Sequence, residues 1–154
     1  MLRVSPIAHR EPSVAVRIHA IMALAYLQEA RLLQIKDFPP LERTAEDIEA
    51  SEDFYLGAFL DREIVGVLSV GRDDDPEQLC ISALVVHPAM QRLGVGRQLV
   101  QHALARVPGA TFSVATAAQN APALALYRGL GFVPYRHGVV GPDRLRLVKL
   151  RRAA

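Results

Sequence analysis

Four apolar residues in a row, Ala83-Leu84-Val85-Val86, are cut off by His87-Pro88 and followed by Gln91-Arg92-Leu93-Gly94-Val95-Gly96-Arg97. The apolar run reads as a buried central strand, because a strand covered on both faces shows no polar alternation. Beyond the glycines, Val95, Leu99, Val100, Ala103, Leu104 and Val107 recur at helical spacing, and Pro108-Gly109 ends the pattern. A strand that turns through glycines into an amphipathic helix confines the chain to folds that pack helices on a sheet. It also aims the free N–H groups of a helix start past the strand end, where an anion would be held. Glycine removes the Cβ atoms that would keep a phosphate off the backbone. The turn is therefore a candidate pyrophosphate cradle, with Arg92 and Arg97 adding side-chain charge. The alternative is a tight strand–helix connection that needs glycine for backbone shape alone.

Two common phosphate loops do not fit. A P-loop requires Gly-Lys-Ser/Thr, and no lysine stands here. A dinucleotide fingerprint wants a third glycine at Gln98 or Leu99 and an acid about 20 residues on for the ribose. No carboxylate occurs anywhere between Glu77 and Asp143.

The other elements follow the same mixed order. After a short N-terminal strand, Ser13 to Ile35 has helical spacing (Ile18, Ile21, Met22, Ala25, Leu32), broken by Phe38-Pro39-Pro40. Thr44 to Ala50 predicts a short helix capped by Thr44, with Asp47 three residues on. Phe54–Leu60 and Glu63–Val70 predict a hairpin about Asp61-Arg62, and the acidic tip Asp73-Asp74-Asp75-Pro76 separates it from a strand over Gln78–Val86. Thr111–Thr116 predicts a strand. Asn120 caps a helix over Ala121–Leu130, which Gly131 closes. Leu145–Leu150 alternates as a last strand. No internal repeat or low-complexity linker divides the chain, and its 154 residues fit one domain, 1–154.

Charge is unevenly placed. Met1 to Glu77 holds 15 acidic and eight basic residues; Gln78 to Ala154 holds one acid, Asp143, and ten basic residues. A long acid-free segment does not repel an anion, although a solvated basic surface would read the same way. Nucleic acid is disfavoured as a partner, because the arginines are scattered and aromatics are few. The single cysteine, Cys80, rules out an intramolecular disulfide and fits a reducing cytoplasm. No apolar run reaches the ~20 residues of a membrane span, the N-terminus lacks a signal-peptide core, and no zinc-type Cys/His spacing occurs. No membrane or metal is therefore expected.

Taken together, Leu84 through Leu99 resembles the acetyl-CoA motif of the GNAT (GCN5-related N-acetyltransferase) superfamily: a strand ending in L-x-V-x-P, then Gln/Arg-x-x-Gly-x-Gly/Ala. Asn120-Ala121-Pro122-Ala123-Leu124-Ala125-Leu126-Tyr127-Arg128-Gly129-Leu130-Gly131-Phe132 resembles the family's N-x-x-A-x-x-L-Y-x-x-x-G-F helix. The two stand in family order, about a strand apart. The resemblance extends in element order from Phe54 onward and is motif-level only from Leu84 to Phe132.

It implies a mixed, mainly antiparallel sheet of about six to seven strands, split by a V-shaped slot and flanked by about four helices. It implies an N-acetyltransferase that moves acetyl from acetyl-CoA to a primary amine of a small molecule or peptide, by direct attack in a ternary complex. A non-catalytic acetyl-CoA sensor is the alternative, and an acyl group longer than acetyl stays open. By the same resemblance, the backbone of Leu84, Val85 and Val86 holds the pantetheine arm, and an N–H near Leu84 polarises the thioester carbonyl. Gln91, Arg92, Leu93, Gly94, Val95, Gly96 and Arg97 hold the pyrophosphate, Asn120 contacts CoA, and the Tyr127 hydroxyl protonates the leaving CoA thiolate, giving a hydrogen bond or its proton to the sulfur. The acceptor side falls at about Tyr26 to Phe38 and Tyr135 to Gly141, and a homodimer is among the expectations.

The base that must neutralise the amine is not legible. The strand Cys80-Ile81-Ser82-Ala83-Leu84 lacks the glutamate that some members place there. A water chain ending on Ser82, an acid from Phe54–Glu77, and His87 are candidates. Cys80 as an acetyl-carrying nucleophile is a further option that direct transfer does not need.

Overall fold

The computed structural model describes residues 1–153. Seven strands form one sheet: β1 (Leu2–Pro6), β2 (Phe54–Leu60), β3 (Glu63–Arg72), β4 (Gln78–Val86), β5 (Thr111–Ala117), β6 (Val133–Val140) and β7 (Leu145–Arg152). Their spatial order is β1-β2-β3-β4-β5-β7-β6. Every pairing is antiparallel except β4 with β5. Four helices flank the sheet: α1 (Pro12–Leu33), α2 (Ala45–Ala50), α3 (Val95–Arg106) and α4 (Ala121–Gly129).

The helices divide between the two faces by their apolar stripes. Ile18, Met22 and Ala25 of α1 and Ile48 of α2 bury themselves on Tyr55, Val67, Ala83 and Val85. Val95, Leu99, Val100 and Ala103 of α3 pack with Tyr127 of α4 on Leu68, Ile81, Phe112, Val114 and Leu150. Gly66 lets α3 lie close to the sheet, since a Cβ there would stand 2.8 Å from Val95 Cγ1.

A bulge sets β4. Ser69 faces Ala83 but Val70 faces Ile81, so Ser82 is the extra, unpaired residue. Across it the side chains change faces: Ile81 joins the α3 side, Ala83 and Val85 the α1 side.

Most element ends fall where the sequence places them. The capping box is present, with Thr44 Oγ1 accepting from Asp47 N–H and Asp47 Oδ2 from Thr44 N–H. Two features differ. The first helix stops at Leu33, several residues before the prolines, because Gln34 takes a left-handed cap at φ 57° and donates its N–H to backbone oxygens. The prolines instead start a short 3-10 turn, Pro39–Glu42. The strand Val133–Val140 went unread between the last helix and the last strand. It is an edge strand, mostly exposed, with Pro134 and Gly138 inside it. Such a strand buries no alternating face and leaves no periodic signal.

Candidate active site

The parallel pairing of β4 with β5 covers only Gln78–Ile81 against Thr111–Val114. Beyond it the two strands separate. A cleft of about 850 Å³ fills the gap, walled by β4, β5, α1, α4 and the turn that starts α3.

The ladder decides which way the β4 backbone faces. His87 N–H donates to Val65 O, and in an antiparallel ladder bonded residues alternate. Counting back by two, Val85 and Ala83 bond β3. Leu84 and Val86 turn their N–H and C=O groups the other way, into the cleft, where β5 no longer reaches them. The Val86 carbonyl accepts from Gln91 Nε2 at 3.5 Å; buried peptide groups without partners are costly, so an extended ligand arm that supplies the others would dock here as an added strand.

The glycine turn closes one end. Gly94 sits at φ 81° as the residue before α3 and makes no side-chain cap, so the first N–H groups of the helix stay open to an anion. Arg92 is also left-handed, at φ 66°, which curls the turn into a concavity of successive N–H groups. Gln91, Arg92, Gly94, Val95, Gly96 and Arg97 line the cleft. Leu93 does not; its side chain is exposed. The Val95 side chain is core, leaving its N–H as the useful group. Gln91 Nε2 donates to Gln28 Oε1 at 2.6 Å, tying the turn to α1. Arg97 reaches across to the last turn of α4, where a Cβ on Gly129 would lie 3.1 Å from Arg97 Nη2.

At α4 the polar groups are differently employed. Asn120 Oδ1 accepts from Ala123 N–H as a helix cap, yet the residue also lines the cleft. Tyr127 lines it too and is only 4% exposed. Its hydroxyl has no hydrogen-bond partner among the described residues. Since the one sealed and unpartnered side-chain polar atom there is Ser113 Oγ, the Tyr127 oxygen keeps its opening to the cleft. Burial above all, with Tyr26 and Glu29 adding negative potential, pushes the phenol well above its usual range.

The candidate bases separate clearly. His87 Nδ1 accepts from Ala89 N–H and caps the turn after β4, outside the cleft lining. Cys80 is outside it as well, and burial raises its thiol, which suppresses the thiolate. Ser82 lines the cleft, donates to Asp53 Oδ2 at 2.6 Å, and with its one hydrogen so used accepts from Ser69 Oγ at 2.7 Å. The acid at the end of that chain therefore precedes β2.

Sequence reasoning missed Glu29. Among the described residues it is the one carboxylate lining the cleft. Burial raises its pKa to about 7. A signal existed: Ile18, Met22, Ala25, Glu29 and Leu33 form one helical stripe, so the spacing itself puts a carboxylate on the buried face. The basic residues largely serve the fold. Arg136 and Lys149 bind the acidic tip through Asp73 and Asp74, and Arg106 lies over the Phe54 ring. Tyr135 stands with Gln78, Arg136 and Arg151, so of the expected second acceptor segment it is Val140 that lines the cleft.

A sheet that splits at a parallel pair, with a glycine turn at the slot's end and a tyrosine helix on its wall, is the arrangement that the GNAT resemblance implies. The chain belongs to that family: the model of the acetyltransferase (GNAT) family matches residues 19–132. It is 34% identical over 125 residues to the UPF0157 protein YqkA of Bacillus subtilis (strain 168), a match over 80% of this chain and 36% of that one. The chain thus spans about a third of that relative's length. Its fold is similar to the ribosomal-protein-S18-alanine N-acetyltransferase of Escherichia coli, with a TM-score of 0.77 at 19% identity over 99% of this chain and 94% of that one. It is also similar to a chain of the NatC complex bound to Gag peptide and CoA, with a TM-score of 0.72 at 16% identity over 99% and 98%. No helix among the described residues is long and apolar enough to cross a membrane.

Proposed function

We propose that this chain transfers the acetyl group of acetyl-CoA to a primary amine, by direct attack within a ternary complex. The observation that carries the reading is the open edge of β4. The peptide groups of Leu84 and Val86 face the cleft between an uncapped helix start and a buried tyrosine. The α3 turn is suited to the pyrophosphate, and the β4 edge to the amide-bearing pantetheine arm. The thioester of a ligand so bound would stand beside the Leu84 N–H, which would stabilise the oxygen where negative charge develops. Asn120 can reach the arm with the amide hydrogens its cap leaves free.

Tyr127 serves the sulfur. A phenol held above its usual range does not surrender its proton to a thiolate, whose own conjugate acid lies near 8.5. Its part is to donate a hydrogen bond to sulfur as the C–S bond breaks. An acetyl-CoA sensor would have no use for that donor at the thiolate, which favours the enzyme reading. The experiment is a free-thiol assay with acetyl-CoA and a panel of primary amines. Amine-dependent CoA release with a product heavier by one acetyl group supports the proposal. Tight acetyl-CoA binding with no release for any amine would move the chain to the sensor class.

A further inference from the structure

Glu29 lines the same cleft as Tyr127 and the β4 edge, and as Tyr26, Leu32, Phe38, Pro39, Val140 and Leu145, which make a largely apolar wall. Tyr26 meets the Phe38 ring edge-on at 6.0 Å. The Glu29 carboxylate has no hydrogen bond or ion pair among the described residues, and its potential is felt at both Tyr26 and Tyr127. An acid set on the inward stripe of α1 and left unpaired, beside the largely apolar Leu32, Phe38, Pro39, Val140 and Leu145 of the cleft, is costly to the fold. It calls for a cation from the ligand.

Resting on the acetyltransferase reading, we infer that Glu29 receives the proton of the acceptor amine, and that the wall beside it selects a primary amine with one positive charge on an apolar body. The amine arrives as the ammonium form, since such amines are protonated near neutral pH, and its charge is neutralised by the carboxylate. One proton passes from nitrogen to Glu29. The freed lone pair forms the C–N bond while the C–S bond breaks and its electron pair leaves on sulfur. A second nitrogen proton ends on that sulfur and the third stays on the amide. Glu29 then returns its proton to water. A polycation would leave charges unpaired against the apolar wall.

Burial alone places the carboxyl near neutrality, where a base is most effective. Tyr26 and Tyr127 are both raised, chiefly by burial, and the positive charges of the region are Arg43, whose potential is felt at Tyr26, and Arg92 and Arg97 in the turn.

The test compares wild type with Glu29→Gln, which keeps the shape of the side chain. Three readouts are taken: acetyl-CoA affinity by calorimetry, kcat and kcat/KM against pH, and binding of 2-phenylethylamine to the CoA-loaded protein, with spermidine as the control amine. The inference expects wild type to bind and acetylate 2-phenylethylamine at least tenfold better than spermidine, with kcat/KM, which reports the free protein, rising through about pH 7. In E29Q acetyl-CoA affinity is unchanged, 2-phenylethylamine binding falls at least tenfold, kcat at pH 7 falls about 100-fold and the rise near neutrality disappears. Wild-type kcat and pH profile in E29Q would overturn the base, and a preference for spermidine, or no binding of 2-phenylethylamine, would overturn the apolar acceptor. Absence of acetyl-CoA binding in wild type is a separate failure, that of the acetyltransferase reading itself.

Discussion

The Tyr127 and Phe132 rings meet edge-on, their centroids 5.4 Å apart at 66°, and the backbone binds the same pair. Phe132 N–H donates to Tyr127 O, and Gly131 N–H to Arg128 O, around Gly131 at φ 92°. These bonds make a Schellman motif, whose usual companion is a contact between the residues at its two ends. The helix terminator and the rotamer of the tyrosine are therefore one device: the turn that ends α4 holds the ring against the cleft.

Removing that support should disturb both stability and turnover. Phe132→Ala empties a site whose side chain is 2% exposed, at a cost of about 3 kcal/mol. Chemical denaturation should show the loss, and kcat should fall with it because the Tyr127 ring is freed. Stability lost with kcat intact would show that the tyrosine needs no such brace.

Tyr127→Phe keeps the ring and removes the donor. Since the hydroxyl has no hydrogen-bond partner among the described residues, folding stability should barely change. Thiol-release assays should show kcat down by about 100-fold, while calorimetry shows acetyl-CoA affinity within twofold of wild type. An undiminished rate would remove Tyr127 from the mechanism.

Gly94→Val tests the turn. The residue sits at φ 81° with open space around its Cα, so the penalty is backbone strain of about 1–2 kcal/mol and not a clash. A β-branched residue would pull the turn out of its left-handed shape and scatter the N–H groups. Acetyl-CoA affinity should fall more than tenfold while circular dichroism stays that of the folded protein. Unchanged affinity would mean the turn is only a connection.

Glu29 also predicts a stability profile that does not depend on activity. Its folded pKa, about 7, lies above the ordinary carboxyl value of 4.5. The group therefore favours the fold fully at pH below 4.5, and that contribution is lost as pH rises through about 7. Thermal melts of the free protein should show E29Q more stable than wild type at pH 8, with the gap closing at pH 4.5. An equal gap at both would place Glu29 in ordinary solvent.

What the sequence disclosed is what local chemistry controls. The run Leu84–Val86, the glycines after it, and the segment from Asn120 to Phe132 each carry strand, turn or cap signals within a few residues, so the slot's three parts were legible in order. Orientation was not. That the peptide groups of Leu84 and Val86 face the cleft depends on the Ser82 bulge and on where β5 parts from β4, both set by partners far along the chain. Glu29 was hidden for a related reason: its stripe is local, but the cleft it faces is assembled from β4, β5 and α4. The strand Val133–Val140 lacked a buried face and so lacked a pattern. Of the arginines in the acid-free segment, Arg92 and Arg97 line the cleft, while Arg106 and Arg136 are occupied with Phe54 and Asp74.

The central claim is that this cleft holds acetyl-CoA, and isothermal titration of the purified chain with acetyl-CoA, CoA and NAD tests it most directly. Micromolar binding of acetyl-CoA and CoA at one site per chain, with none for NAD, is the expected result. No heat with acetyl-CoA, or equal binding of NAD, would contradict the account and leave the open β4 edge without its ligand.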